Sequence, residues 1–186
     1  GMMGATEETN DYIRGRGHFE VALKALDLMR KYEVISCMKI SLDKHNYSEM
    51  EQMVQLAVEK GVKQIVFGQL VGMGRAAQQL KDLVFGYDEL KAVQEKVGEL
   101  RENYGREVKI APHCTFSGLC SAAGEFYTVT AKGSVSPCLM REDLALGNLY
   151  TENAADLFKR VDNSRGLVKT HSSWRDFSEK RGYGNF

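Results

Sequence analysis

Cys120 and Cys138 are the side chains in this 186-residue chain best suited to holding a metal. Twelve residues separate Cys120 from Gly133, and four separate Gly133 from Cys138. Residues 125–130 are rich in β-branched and aromatic side chains and read as a strand. Lys132-Gly133 reads as its turn, because glycine reaches positive φ without steric cost. Residues 134–137 form the expected returning strand. Such a hairpin brings the two thiols to one end, where a pair of thiolates is half of a zinc or iron–sulfur site.

Two ligands leave a tetrahedral site half filled. Cys114 is the candidate for a third, with His113 beside it. A plainer reading competes: cysteine is among the most buried residue types, and His113 reads more readily as a surface or loop histidine than as a ligand. Cys37 falls inside an apolar stretch and reads as a core thiol. No secretory signal pattern opens the sequence, so metal binding or buried free thiols fit four cysteines better than two disulfides.

Cys-x12-Gly-x4-Cys, with Ala123-Gly124 after the first cysteine and Pro137 before the second, resembles the opening of a SPASM or twitch domain. Those domains are C-terminal extensions of radical S-adenosylmethionine (radical SAM) enzymes. Gly147-Asn148-Leu149, ahead of a short helix, is similar to the same family. Upstream, Asp11-Tyr-Ile-Arg14-Gly15-Arg-Gly17-His-Phe19-Glu resembles the segment after the fourth strand of the radical SAM barrel. Residues 40–46 resemble the end of the fifth strand, and Gly72-Met-Gly74-Arg75-Ala76 the turn after the sixth. The likeness runs over residues 7–160 in the family's order.

The resemblance implies an α/β fold. A partial (β/α) barrel of parallel strands would span residues 4–112, a truncated SPASM/twitch-like hairpin and helix residues 113–162, and a tail residues 163–186. It implies S-adenosylmethionine in the full-length relatives, and there an auxiliary 4Fe–4S cluster near Cys120 and Cys138. Asn46 and Arg75 become cofactor-binding candidates. Asn46 serves equally as a turn former through side-chain bonding to backbone, and Arg75 reads more commonly as an ordinary surface cation. Arg14 is placed to orient a ligand or to pair with a helix acid. The family's Cys-x3-Cys-x2-Cys, which holds the cluster that cleaves S-adenosylmethionine, matches no spacing among Cys37, Cys114, Cys120 and Cys138. The chain is thus most similar to the middle-to-C-terminal part of such an enzyme, and is expected not to cleave S-adenosylmethionine alone.

Composition sets outer bounds. Lys plus Arg and Asp plus Glu are both 25, which disfavours a polyanion-binding surface. No apolar run approaches the roughly 20 residues that span a bilayer, and the expected compartment is the cytoplasm. Gly1 ahead of Met2-Met3 reads as a remnant of tag removal.

The elements that must position these residues follow from periodicity. Residues 4–10 read as a loop. Residues 17–32 read as a helix, with Phe19, Leu23, Leu26 and Met29 as its core stripe. Residues 34–42 and 64–71 read as buried parallel strands. The helix between them is expected to start in a Ser48–Glu51 capping box, to bury Met50, Met53 or Val54, and Ala57, and to stop at Gly61. After an irregular stretch over 72–86, a helix over 88–104 presents Leu90, Val93, Val97 and Leu100 and ends at Gly105. A short strand over 107–111 and a helix over 153–160 complete the set. Trp174 reads as an anchor for the tail.

Two or three parallel strands covered on one side leave open edges and, by this reading, an apolar inner face. A homodimer, or a partner chain covering the open barrel edge, is the expected remedy. Two rival readings come from other classes: a non-enzymatic interaction module that completes a partner's barrel through an exposed strand over 65–71, and a small thiol-bound zinc protein.

Overall fold

A computed structural model of the chain describes residues 1–71, 75–112, 127–137 and 145–163. It divides into two units, residues 1–116 and 117–185, each with a three-stranded sheet of its own.

The first unit is built on a parallel sheet of order β1-β2-β3, comprising Cys37–Leu42, Gln64–Gln69 and Lys109–Pro112. Helix α3, Met50–Glu59, connects β1 to β2. Between β2 and β3 lie the short α4, Arg75–Gln79, and the long α5, Tyr87–Tyr104. Side chains of a strand alternate between faces, and the register places Met38 beside Ile65 and Ile110, and Ile40 beside Phe67. Those residues are buried, as are Met50, Met53, Val54 and Ala57 of α3 and Leu90, Val93, Val97 and Leu100 of α5. Helix α5 packs on both α3 and β3. Each of these large apolar side chains stabilises the fold by about 1.5–3 kcal/mol relative to leaving it exposed. Gly61, at φ 70°, ends α3 as the sequence predicts.

The other face of this sheet corrects an expectation. It carries Cys37, Lys39 and Ser41 of β1, Gln64, Val66 and Gly68 of β2, and Lys109 and Ala111 of β3. This face is polar and small rather than apolar. Cys37 accordingly is exposed and not a core thiol. The strand expected at an open edge is also reassigned, because β2 is central and the edges are β1 and β3.

Other local readings shift for identifiable reasons. Residues 4–10 are not all loop: α1, Glu7–Arg14, starts at Thr6, whose hydroxyl accepts from the Thr9 N–H at 3.2 Å. The Ser48–Glu51 capping box does not form, because Tyr47–Glu49 make a 3-10 turn and α3 begins at Met50. Glu49 turns instead to the N-terminal segment, accepting from the Ala5 N–H at 2.7 Å and from the Thr9 hydroxyl. Helix α2, His18–Lys31, buries Leu26 but leaves Met29 exposed. Gly105 follows α5 in a right-handed conformation, so its positive-φ tolerance is not used.

The second unit is antiparallel. Strands β4, Thr128–Val129, and β5, Ser134–Ser136, form the expected hairpin, and β6, Gly147–Asn148, adds a third strand to β5. Gly133 turns the hairpin at φ 78°, and a Cβ there would meet Asn148 Oδ1 at 2.6 Å. Helix α6, Ala154–Asn163, sends Leu157 and Val161 against Val135, with Tyr127, Leu146 and Leu149 around them. Among the described residues no helix is long and apolar enough to cross a membrane.

Candidate functional site

Open parallel sheets place their ligand sites at the C-terminal ends of the strands. In this chain that end is organised by Asp43 and Asn46, the turn that follows β1. Asp43 Oδ1 accepts from the backbone N–H of His45 at 2.8 Å and of Asn46 at 3.1 Å. Asn46 Oδ1 accepts in return from the Asp43 N–H at 3.0 Å. The two side chains thus cap each other's backbone.

The remaining groups of Asn46 reach outward. Its amide donates to the carbonyl of Ser41 at 3.0 Å and to that of Met3 at 2.9 Å. Both amide hydrogens are therefore committed within the chain. Met3 is held from the other side by Asn10, whose Oδ1 accepts its N–H at 3.0 Å. Asn10 is fully buried, and its own amide bonds Asp11 at 2.8 Å and approaches His18 Nδ1 at 3.1 Å. Asp11 accepts the N–H groups of Gly17 and Phe19, which fixes the glycine-rich link between α1 and α2. Gly15 and Gly17 both lie at positive φ there, which explains the Arg-Gly-Arg-Gly sequence. Arg14 is exposed in the last turn of α1.

The effect of this network is to seat Met2 and Met3 beside β1. Met2 pairs in parallel with Ile40, its N–H donating to the Lys39 carbonyl at 3.0 Å. Both methionines are buried. This short parallel neighbour was missed from sequence. Its signal was an apolar Met-Met pair just ahead of Gly4, where a Cβ would meet the Asn10 nitrogen at 2.6 Å.

Asp43 is the chemically notable group. Its Oδ2 is buried and has no hydrogen-bond partner among the described residues. Burial pushes the Asp43 carboxyl up from its ordinary range, while the N–H groups of His45 and Asn46 draw it partly back. The acid is thus biased toward its neutral, proton-holding form. Beside it, the exposed His45 ring lies 4.5 Å from that of Tyr12, and Lys44 pairs with Glu89 at 3.0 Å. Gln69, the last residue of β2, is buried at the same end of the sheet.

Arg75 opens α4, after the end of β2. Cys114, His113, Cys120 and Cys138 lie outside the described residues, as do Gly72 to Gly74. Among the described residues no three His, Cys, Asp or Glu side chains are grouped to hold a metal ion. The cysteine spacings of the chain do not fit the cluster that initiates radical SAM chemistry, and Cys37 stands on the exposed face of β1.

No protein-family model matches the chain. It is 24% identical over 157 residues to the sporulation killing factor maturation protein SkfB of Bacillus subtilis, covering 81% of this chain and 38% of that protein. It is 26% identical over 150 residues to an uncharacterized protein of Archaeoglobus fulgidus, covering 71% of this chain and 35% of that one. The chain therefore spans little more than a third of the curated relatives it matches.

Proposed function

We propose that the chain is a portion of a radical SAM/SPASM-like protein, comprising part of its (β/α) barrel and the start of its C-terminal extension, and that alone it does not cleave S-adenosylmethionine. The observation that carries this reading is the β1-β2-β3 parallel sheet with a polar, small-residue face opposite its helices. A packed core would cover an apolar face; a face of Lys39, Ser41, Gln64 and Gly68 suits a wet, ligand-bearing interior. The distant likeness to a maturation protein supports the radical SAM relationship.

On this reading residues 4–112 are the barrel portion and residues 113–162 the SPASM/twitch-like part. Cys120, Cys138 and Cys114 would be ligands of an auxiliary 4Fe–4S cluster in a full-length form, and Asn46 and Arg75 would border the cofactor. Asn46 acts there by shaping the end of β1, since its amide hydrogens are already engaged. The protein works in the cytoplasm, and a second copy or a partner chain covers its open side.

Anaerobic reconstitution with iron and sulfide, reduction, and assay for 5′-deoxyadenosine test the reading. The expected result is none above the protein-free blank. Sustained production would overturn it. Elemental analysis after aerobic purification separates the rival small zinc protein, which would retain one zinc per chain, because thiolate-bound zinc survives air.

A further inference from the structure

Among the described residues, Asp43 Oδ2 is the one buried side-chain oxygen or nitrogen without a hydrogen-bond partner. Native folds leave few such atoms, and each calls for a cause. Here the cause lies in the proton. As a carboxylate, Asp43 buries a charge answered only by the His45 and Asn46 N–H groups on Oδ1. A buried charge without full pairing costs far more than a buried neutral group. As an acid the same side chain keeps both Oδ1 contacts and carries no charge.

The surroundings do not supply the missing counter-charge. Lys44, next in the chain, pairs with Glu89 of α5 at 3.0 Å. Glu49, in the 3-10 turn, is itself an acid and accepts from the Ala5 N–H and the Thr9 hydroxyl. Tyr12 of α1 meets the His45 ring. Of these groups only His45 favours the carboxylate through its field, and its exposed position lets solvent screen it.

The turn that Asp43 closes has a specific load. The Asp43 N–H donates to Asn46 Oδ1, and the Asn46 amide holds the Met3 carbonyl at 2.9 Å. Met2, beside it, donates to the Lys39 carbonyl on the edge of β1. We propose that the Asp43–Asn46 turn is a proton-gated latch: with Asp43 protonated it closes and seats Met2 and Met3 against β1, and with Asp43 ionised it opens and releases them. The proton leaves to water, and the carboxylate gains the hydration that the closed turn denies it. Burial strengthens the hold of Asp43 on its proton, which sets the direction. The closed latch persists below the unfolded value and is lost as pH rises through the folded one. Release uncovers the Lys39 carbonyl, so the rim of β1 closes as pH falls and opens as it rises. The latch is a property of this turn and is independent of the radical SAM relationship.

Methyl NMR of the methionine-labelled 186-residue chain, titrated from acid to neutral pH, tests this. The Met2 and Met3 methyl resonances should move to their unfolded-chain positions as pH rises. Met53, in the core, should stay in place and so show that the fold persists. Asp43→Asn, which cannot ionise, should hold Met2 and Met3 at their buried positions throughout. His45→Gln should keep the transition, since His45 is not the gate. Should Asp43→Asn fold poorly, the carboxyl carbon resonance of Asp43 in the wild type decides: it should titrate with the same midpoint as the methyl shifts. Met2 and Met3 resonances that never leave their buried positions overturn the proposal. So do an unchanged transition in folded Asp43→Asn, its loss in His45→Gln, or a carboxyl midpoint that differs from that of the methyls.

Discussion

The Asn46 amide donates to the Met3 carbonyl across 43 residues of sequence, at 2.9 Å and out of contact with water. That bond, with its companion to Ser41, joins the end of β1 to the segment that lies along its rim. Local turn chemistry thereby fixes a long-range strand pairing.

Asn46→Ala should therefore be among the most damaging substitutions at this end of the sheet. It strands the buried carbonyl of Met3 and the N–H of Asp43, each worth about 1–3 kcal/mol when left unsatisfied. Urea unfolding followed by circular dichroism should show a loss of about 3 kcal/mol. Amide exchange should show Met2 released while Phe67, in the central strand, remains protected. Asn46→Asp should not rescue the loss, because a carboxylate cannot donate to the two carbonyls.

Asp43 gives a pH dependence of defined sign. Its folded-state carboxyl titrates above the ordinary value because it is buried. The folded state thus holds the proton more tightly than the unfolded chain does. Its contribution to stability is fully present below the unfolded value and is lost as pH rises through the folded one. Urea midpoints measured from mildly acid to neutral pH should fall with this slope in the wild type. In Asp43→Asn, which keeps the Oδ1 acceptor for His45 and Asn46, the slope should be absent.

Cys37 should react quickly with iodoacetamide in the native chain, since it lies exposed on the uncovered face of β1. Peptide mass spectrometry identifies the labelled site. Cys37→Ser should change stability by no more than about 0.5 kcal/mol, as for other surface substitutions. Slow labelling together with a large destabilisation would return the thiol to a core role.

Gly133→Ala should unsettle the second unit. Its φ of 78° is strained for a side-chain-bearing residue, and the new Cβ would meet Asn148 Oδ1 and the Tyr150 ring within 3 Å. A cost of about 1–3 kcal/mol follows, visible as faster proteolysis between Tyr127 and Asn163 with the first unit unaffected.

Much of this fold was legible because periodicity carries burial. The stripe Leu90, Val93, Val97 and Leu100 of α5, the α3 face around Met53 and Ala57, and the turn at Gly133 all stand where the sequence puts them. The failures share a cause. Glu49 and Asn46 are polar and bond to Ala5 and Met3, 44 and 43 residues away, so the Met2–Met3 pairing has no local apolar signature; the start of α1 is marked only by the polar Thr6 cap on Thr9. Strand order is likewise non-local: nothing within residues 64–71 announces that β2 is central. Met29 shows the reverse error, a helix-spaced apolar residue whose face the fold leaves open. At the candidate site Asn46 bonds nearby backbone as its turn-former reading expects, whereas its bond to Met3 had no local signal. Asp43 was missed because an aspartate after a strand reads as a turn former.

The central structural claim is that β1 forms the rim of the parallel sheet, continued among the described residues only by the bridge from Met2. Met38, Ile40 and Leu42 turn their backbone groups to β2, while the Lys39 carbonyl takes the Met2 N–H and the Lys39 N–H points to the open side. Residue-resolved hydrogen exchange on the 186-residue chain measures this directly. The account predicts that the Lys39 amide exchanges at least about 100-fold faster than those of Met38 and Ile40. Protection of Lys39 equal to that of Ile40 would mean that a further strand already lies along β1, and would contradict it.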